Sequence, residues 1–224
     1  MQTRRTEKFR RVAKKRQGNL TVVLENVYDL HNLGAVLRTA DSVGVHEIYI
    51  LQTDEVLQKK NLKLGKRTSS GARRWVDVHY YTTAKACFEA VKGKYEKVYS
   101  TMLGEHTKSL YELDLTESVA LLFGNERTGL TPETATFSDG NFLIPQVGMV
   151  ESLNISVACA VTLYEAFRQR SAKGFYTANA PLSNTKQEQL FESYLERHAS
   201  NDKRYETPVL DAKKAGQLNN KLVE

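Results

Sequence analysis

Three short stretches hold most of the residues that could do chemistry: HNLGAVLR over 31–38, FGNERTGL over 123–130 and IPQVGMVESLNIS over 144–156. They combine amides, hydroxyls, glycines and isolated charges. None contains the carboxylate dyad, or the histidine beside an acid, of ordinary general-base catalysis. Such a set suits a pocket that grips its ligand largely with backbone groups. Taken singly, each also has a plain structural explanation. Asn32 is a good helix N-cap, Gly124 and Gly129 suit a turn, and Ser152 and Asn154 could cap a helix starting near Ile155.

What sets the three apart is the element before each. LTVVLE (20–25), SVALLF (118–123) and NFLIP (141–145) read as strands, rich in apolar and β-branched residues. The first stretch opens a helix whose Val36, Leu37, Ala40 and Val43 form an apolar stripe, with Gly44 as its stop. EIYIL (47–51) follows as a strand. Strand, helix and strand in so short a span predict a βαβ unit with parallel strands. The alternation continues with strands at 76–81 and 95–101 around a helix at 83–91. From Asn154 a long helix runs to Gly174, with apolar positions at 157, 160, 161, 164 and 167 and with Arg168, Arg170 and Lys173 near its end. The expectation is an α/β core over 18–173, mostly parallel with helices on both faces. Before it lies a basic arm (1–17) and after it a helical extension (174–224), with a helix at 185–199 carrying Leu190, Tyr194 and Leu195 on one stripe. In such sheets ligands bind beyond the carboxyl ends of the strands, so the three stretches are placed to converge.

Composition narrows the partners. The 224 residues are 41% hydrophobic and 26% charged, enough for a sizeable core, and no apolar run approaches a membrane span. Residues 1–16 carry eight Lys or Arg and one acid, Glu7, a net +7; the whole chain is +6, so the remainder sums to −1. The positive charge is therefore an arm, which attracts a polyanion or else serves as a solvated tail. Cys87 and Cys159 stand alone in apolar segments and read as buried thiols of a reducing compartment such as the cytoplasm. His31, His46, His79, His106 and His198 show no metal-ligand spacing, so no metal is expected. No GxGxxG follows the first strand, no GxSxG occurs, and GNERTG lacks the lysine and hydroxyl that complete a P-loop.

The three stretches resemble the three signature motifs of the SpoU class of RNA 2′-O-ribose methyltransferases, in the SPOUT superfamily. Asn32, Gly34 and Arg38 match the first motif; Gly124, Glu126, Gly129 and Leu130 match the second; Ile144, Pro145, Gly148, Ser152, Leu153 and Asn154 match the third. The motifs occur in order and span about 20–170. The resemblance implies a C-terminal deep trefoil knot, which general topology rules would not suggest, and a homodimer formed through it. It also implies S-adenosylmethionine held near Thr101, Leu122, Gly124, Ile144 and Leu153. The catalytic set would be Arg38, Asn32, Glu126, Ser152 and Asn154. The basic arm and the extension are similar to the branch acting on guanosine 18 of the tRNA D-loop. That branch would place Arg5, Arg10, Arg11, Lys14, Lys15, Arg16, Arg168 and Arg170 against tRNA. A ribosomal or anticodon-wobble ribose, and a knotted RNA-binding protein without turnover, are the competing readings.

Arg38 then carries the chemical question. A guanidinium loses its proton only with difficulty, so a base role is costly. An arginine that stays charged, grips a phosphate and stabilises a developing alkoxide is the economical alternative.

Overall fold

The computed structural model describes residues 4–58, 69, 71–104, 106–177 and 180–199. Seven strands form one sheet: β1 Leu20–Glu25, β2 Glu47–Leu51, β3 Asp77–Tyr81, β4 Lys97–Thr101, β5 Lys108–Ser109, β6 Val119–Phe123 and β7 Gly140–Leu143. Their order is β3-β2-β1-β6-β4-β7-β5, and every pairing is parallel. The helices are α1 Arg4–Lys14, α2 Leu30–Ser42, α3 Glu55–Gln58, α4 Ala84–Lys92, α5 Pro132–Ala135, α6 Ile155–Ala172 and α7 Asn184–Ala199. The short β5, α3 and α5 are too brief to leave a period in the sequence.

Alternation along the strands builds a core on each face of the sheet. Leu20, Val22 and Leu24 of β1 face Leu33, Val36, Leu37 and Ala40 of α2 and Cys159, Leu163 and Ala166 of α6. Val23, on the opposite face, packs with Cys87, Phe88 and Val91 of α4. All six β1 positions are buried, as a central parallel strand requires. Burial pushes the Cys87 thiol up to about 12, so this cysteine is a packed, unreactive side chain.

The order of the strands decides what meets at the carboxyl edge. The chain leaves β4, passes through the outer strand β5, and returns to form β6 on the other side of β4; β7 then takes the remaining flank. β6, β4 and β7 are therefore neighbours with their ends flush: Ser100 pairs with Leu122, and Thr101 with Phe142.

Two expectations are corrected, and the structure adds which face of α6 meets the sheet. Of the apolar positions 157, 160, 161, 164 and 167, Val161 and Phe167 pack against the core. The helix buries Ile155, Cys159, Thr162, Leu163, Ala166 and Arg170, while Val157 and Tyr164 remain exposed. A helix apolar on two faces has a period that does not say which face meets the sheet. Next, Arg16 is fully buried. It donates to Asp41 Oδ1 at 2.6 Å, to the Tyr194 hydroxyl at 2.8 Å and to the Val45 carbonyl at 3.0 Å. Arg170 is also fully buried. It donates to the carbonyls of Leu115, Asn19 and Glu117, to Asn19 Oδ1 at 2.6 Å and to Gln17 Oε1 at 3.2 Å. Neither arginine is presented to a nucleic acid; both tie the termini to the core.

The arm and the extension, remote in sequence, form one helical pair. Phe9 and Ala13 of α1 pack against Phe191 and Tyr194 of α7. Arg10 spans the same seam, 2.6 Å from Glu188 and 3.9 Å from the Phe191 ring centroid. The polar tail expected over the last residues, 200–224, lies outside the described residues.

Candidate active site

The ends of β1, β6, β4 and β7 create the site, and local sequence shapes each loop. At the end of β1, Asn26 takes a left-handed φ of 51°, which asparagine tolerates better than most residues. Its Oδ1 accepts from the backbone N–H groups of Thr53 and Asp54 at 2.9 and 3.1 Å, fixing the loop after β2. Its carbonyl accepts from Asn125 Nδ2 at 2.7 Å, fixing the loop after β6. Glu25, fully buried, accepts from the Thr131 N–H and from the hydroxyls of Thr131 and Thr134 at 2.9, 2.7 and 2.6 Å.

The 124–130 loop closes tightly. Asn125 and Gly129 exchange backbone hydrogen bonds at 3.0 and 2.9 Å, with Gly129 at φ 68°. A Cβ on Gly124 would sit 2.4 Å from the Gly129 carbonyl carbon, so the loop admits only glycine there. Closure turns Glu126 outward, where it is exposed.

α2 begins at Leu30, and its N-cap is Asp29, whose carboxylate accepts from the His31 N–H at 2.8 Å. The capping role expected of Asn32 is thus taken three residues earlier. Asn32, inside the first turn, has a free side chain. Its Nδ2 donates to Glu126 Oε1 at 2.5 Å, and its Oδ1 accepts from Asn154 Nδ2 at 3.2 Å. Asn154 is meanwhile the N-cap of α6, its Oδ1 accepting from the Ser156 N–H at 2.9 Å. One side chain from each motif therefore meets in a single chain of hydrogen bonds, and Asn154 both caps α6 and joins that chain.

The remaining site residues divide. Thr101, Leu122, Gly124 and Ile144 lie at adjacent strand ends, with the Thr101 hydroxyl 3.4 Å from the Leu122 carbonyl. From Pro145 to Leu153, no backbone group is hydrogen-bonded to another backbone group among the described residues. Apart from the Glu151 carbonyl, which accepts from Gln146 Nε2 at 3.5 Å, those groups are available to a ligand, which fits a site that grips through backbone. Ser152 is exposed and outside the amide chain. Arg38 is likewise exposed on α2 and has no hydrogen-bond or ion-pair partner among the described residues. Six residues beyond Asn32, it lies about 120° round the helix from that side chain. No group of His, Cys, Asp and Glu able to hold a metal occurs among the described residues.

Sequence reasoning missed Asn26, Asn125 and Glu25, which hold the loops, and Tyr28. The Tyr28 hydroxyl donates to Asp54 at 2.8 Å, and that bond keeps its ionisation above the ordinary tyrosine range. An asparagine directly after a strand was the one available signal for Asn26; the others act across distances that no local pattern records.

An all-parallel sheet with three polar loops joined at its carboxyl edge defines a ligand-binding α/β enzyme core, and its family follows from comparison. The chain belongs to the SpoU rRNA Methylase family, whose model matches residues 19–164. It is 42% identical over 176 residues to the tRNA (guanosine(18)-2′-O)-methyltransferase of Thermus thermophilus, covering 77% of this chain and 88% of that one. The crystal structure of the A. aeolicus TrmH/SpoU tRNA modifying enzyme superposes with a TM-score of 0.77 at 32% identity, covering 87% and 96% of the two chains. The SpoU methyltransferase AviRb from Streptomyces viridochromogenes, solved in complex with AdoMet, matches with a TM-score of 0.59 at 26% identity, covering 70% and 60%.

Proposed function

We propose that this chain transfers a methyl group from S-adenosylmethionine to the ribose 2′-hydroxyl of guanosine 18 in the tRNA D-loop. The observation that carries this reading is the Glu126–Asn32–Asn154 chain of hydrogen bonds, which unites the three motifs at one edge of the sheet. The likeness to the Thermus thermophilus enzyme supports it over most of both chains. The ribosomal and anticodon-wobble readings have no comparable support from the arm and extension.

The cofactor supplies a methyl already activated on a sulfonium. Thr101, Leu122, Gly124, Ile144 and Leu153 would hold it, largely through the backbone of 145–153, which makes no backbone–backbone hydrogen bond among the described residues, and the three flush strand ends. What remains for the protein is to place the ribose oxygen in line and to manage its proton. Asn32, held from both sides, presents a fixed amide. Arg38 remains a cation that binds a phosphate and lowers the cost of the developing alkoxide, and phosphate or water takes the proton. Ser152 orients the nucleotide.

Arg38 does not meet the Asn32 chain within one protomer. That fits a homodimer in which a second copy completes the site. Val147, Met149, Val150, Val157 and Tyr164 expose apolar surface around the third motif and α6, which suits such a partner. The doubled path around β4 supports a trefoil knot in the same region. Arg5, Arg11 and Lys14 are exposed on α1, with Lys15 exposed just beyond it, and these meet the tRNA backbone. Arg10 and Arg168 contribute partially, since Glu188 and Glu165 already pair with them. No helix among the described residues is long and apolar enough to cross a membrane; with two unbridged thiols, the cytoplasm is the compartment we favour.

The test is methyl transfer from labelled S-adenosylmethionine to total tRNA, followed by mapping of the modified nucleotide. Label on guanosine 18 is expected. Label on the wobble ribose, on any other nucleotide but not guanosine 18, or nowhere overturns the reading.

A further inference from the structure

Between α1, the end of α2 and α7 lies an open groove of about 610 Å³ that the proposed reaction does not use. Its floor is aromatic. Trp75 is half-buried, with its ring centroid 5.1 Å from that of Phe9 and 5.6 Å from that of Tyr194. Its rim is cationic: Arg4, Arg5 and Lys8 of α1 line it and are exposed. The acid in the lining, Asp41, is neutralised by Arg16 at 2.6 Å. An aromatic surface framed by cations that have no ion-pair partner among the described residues repels cations and offers little to a neutral apolar ligand at its rim. It complements a flat, π-faced group that carries negative charge, which is the description of a nucleotide.

The position of the groove supports the same occupant. Asp41 follows Arg38 by three residues on α2, so the two side chains are neighbours on one helix face. A strand of RNA with a phosphate at Arg38 is thus already beside the groove.

We infer that the Trp75 groove is a stacking site for one unpaired nucleotide of the RNA substrate, with its base on the aromatic floor and its phosphates at Arg4, Arg5 and Lys8. This rests on the reading of the chain as an RNA-modifying enzyme. Single-stranded segments and loops offer such bases, whereas paired duplex hides them. The site gives the terminal helices a role beyond sequence-blind attraction, because it selects RNA with an unstacked nucleotide at a set distance from the reacting ribose.

Trp75 is the chain's one tryptophan, so its fluorescence reports on this groove alone. A hexauridylate, which has no guanosine and no fold, is titrated into the full-length protein. Saturable quenching of Trp75 emission is expected, in step with binding measured by anisotropy of the labelled oligonucleotide. The pair Arg5→Ser and Lys8→Ser, on an exposed helix face, should weaken that binding roughly tenfold or more. Trp75→Leu should weaken it by roughly tenfold, the scale of one lost base stack, while Trp75→Phe restores most of it. Binding without quenching overturns the proposal, as does absence of binding, or a folded Trp75→Leu protein that binds as the parent does. If Trp75→Leu does not fold, the quenching and the Arg5/Lys8 pair decide. Emission that ignores RNA but shifts when residues 200–224 are removed would assign the groove to the chain's own terminus and also overturn it. Methyl transfer to tRNA is assayed in parallel. Transfer without quenching sinks only the stacking site; quenching without transfer sinks only the methyltransferase reading.

Discussion

Asn32 Nδ2 lies 2.5 Å from Glu126 Oε1, across 94 positions of sequence. The contact exists because Asp29 caps α2 and leaves the Asn32 amide unspent. It is also surface-exposed, so its contribution to stability is small, about 1 kcal/mol. Asn32→Ala is therefore expected to change the melting temperature by only a few degrees, while methyl transfer falls by about 10²-fold. A double-mutant cycle with Glu126→Gln should show coupling in rate. Additive effects in kcat would mean that the two residues do not act together.

Arg38→Ala should leave folding untouched, since the side chain is exposed and makes no hydrogen bond or ion pair among the described residues. Methyl transfer should fall by about 10²–10³-fold or more, with cofactor and tRNA affinity nearly unchanged. If tRNA affinity collapses in proportion to rate, Arg38 is a binding residue only. Arg38→Lys keeps the charge but not the fork, and should recover little activity if bidentate contact is what matters.

The arginines of the N-terminal arm should separate by burial. Arg16→Ala leaves the buried Tyr194 hydroxyl and the partly exposed Asp41 carboxylate without their partner, a loss of about 2–3 kcal/mol. Denaturant midpoints measure it. Arg11→Ala and Lys14→Ala, on the exposed face, should leave the midpoint in place and each reduce the salt slope of tRNA binding by about 1. A stable Arg16→Ala protein that has lost only RNA affinity would reverse this assignment.

Gly124→Ala places a methyl 2.4 Å from Gly129 backbone, which cannot move without opening the Asn125–Gly129 pair. The expected result is weaker S-adenosylmethionine binding, read by calorimetry, together with a loss of about 1–3 kcal/mol of stability. Unchanged affinity would show that the closed loop is not part of the cofactor site.

Acid should unfold the protein in two stages set chiefly by one cluster at the amino ends of β2 and β3. Burial lowers His46 from its usual 6.5. Burial alone would raise Glu47 from 4.5, but the His79 hydrogen bond, His46 and Lys94 outweigh it and hold the carboxyl far below that value. In both cases the unfolded chain takes up the proton more readily than the folded one. Stability is therefore complete above 6.5, declines as the pH falls below it, and declines again below 4.5. Denaturation curves over this range should show both steps, and Glu47→Gln should shrink the lower one, to which Asp114 and Glu165, also held below their usual values by hydrogen bonds, contribute the rest. A stability that rises on acidification would contradict the assignment.

The sequence by itself determined the strands, the long helices and the parallel α/β class, because apolar period and β-branched runs are local properties. β1, β2, β4 and β6 fall where LTVVLE, EIYIL, YEKVYST and SVALLF place them. It also held the three motifs, and hence the family. Tertiary structure alone decided how those motifs work. That Asp29 rather than Asn32 caps α2, that α6 turns Val157 and Tyr164 outward, and that Arg16 and Arg170 are interior clamps all depend on what lies across the fold. An arginine has the same letter whether it faces solvent or five oxygen acceptors. Only packing, which brings Gln17, Asn19, Leu115 and Glu117 around Arg170, settles which it is.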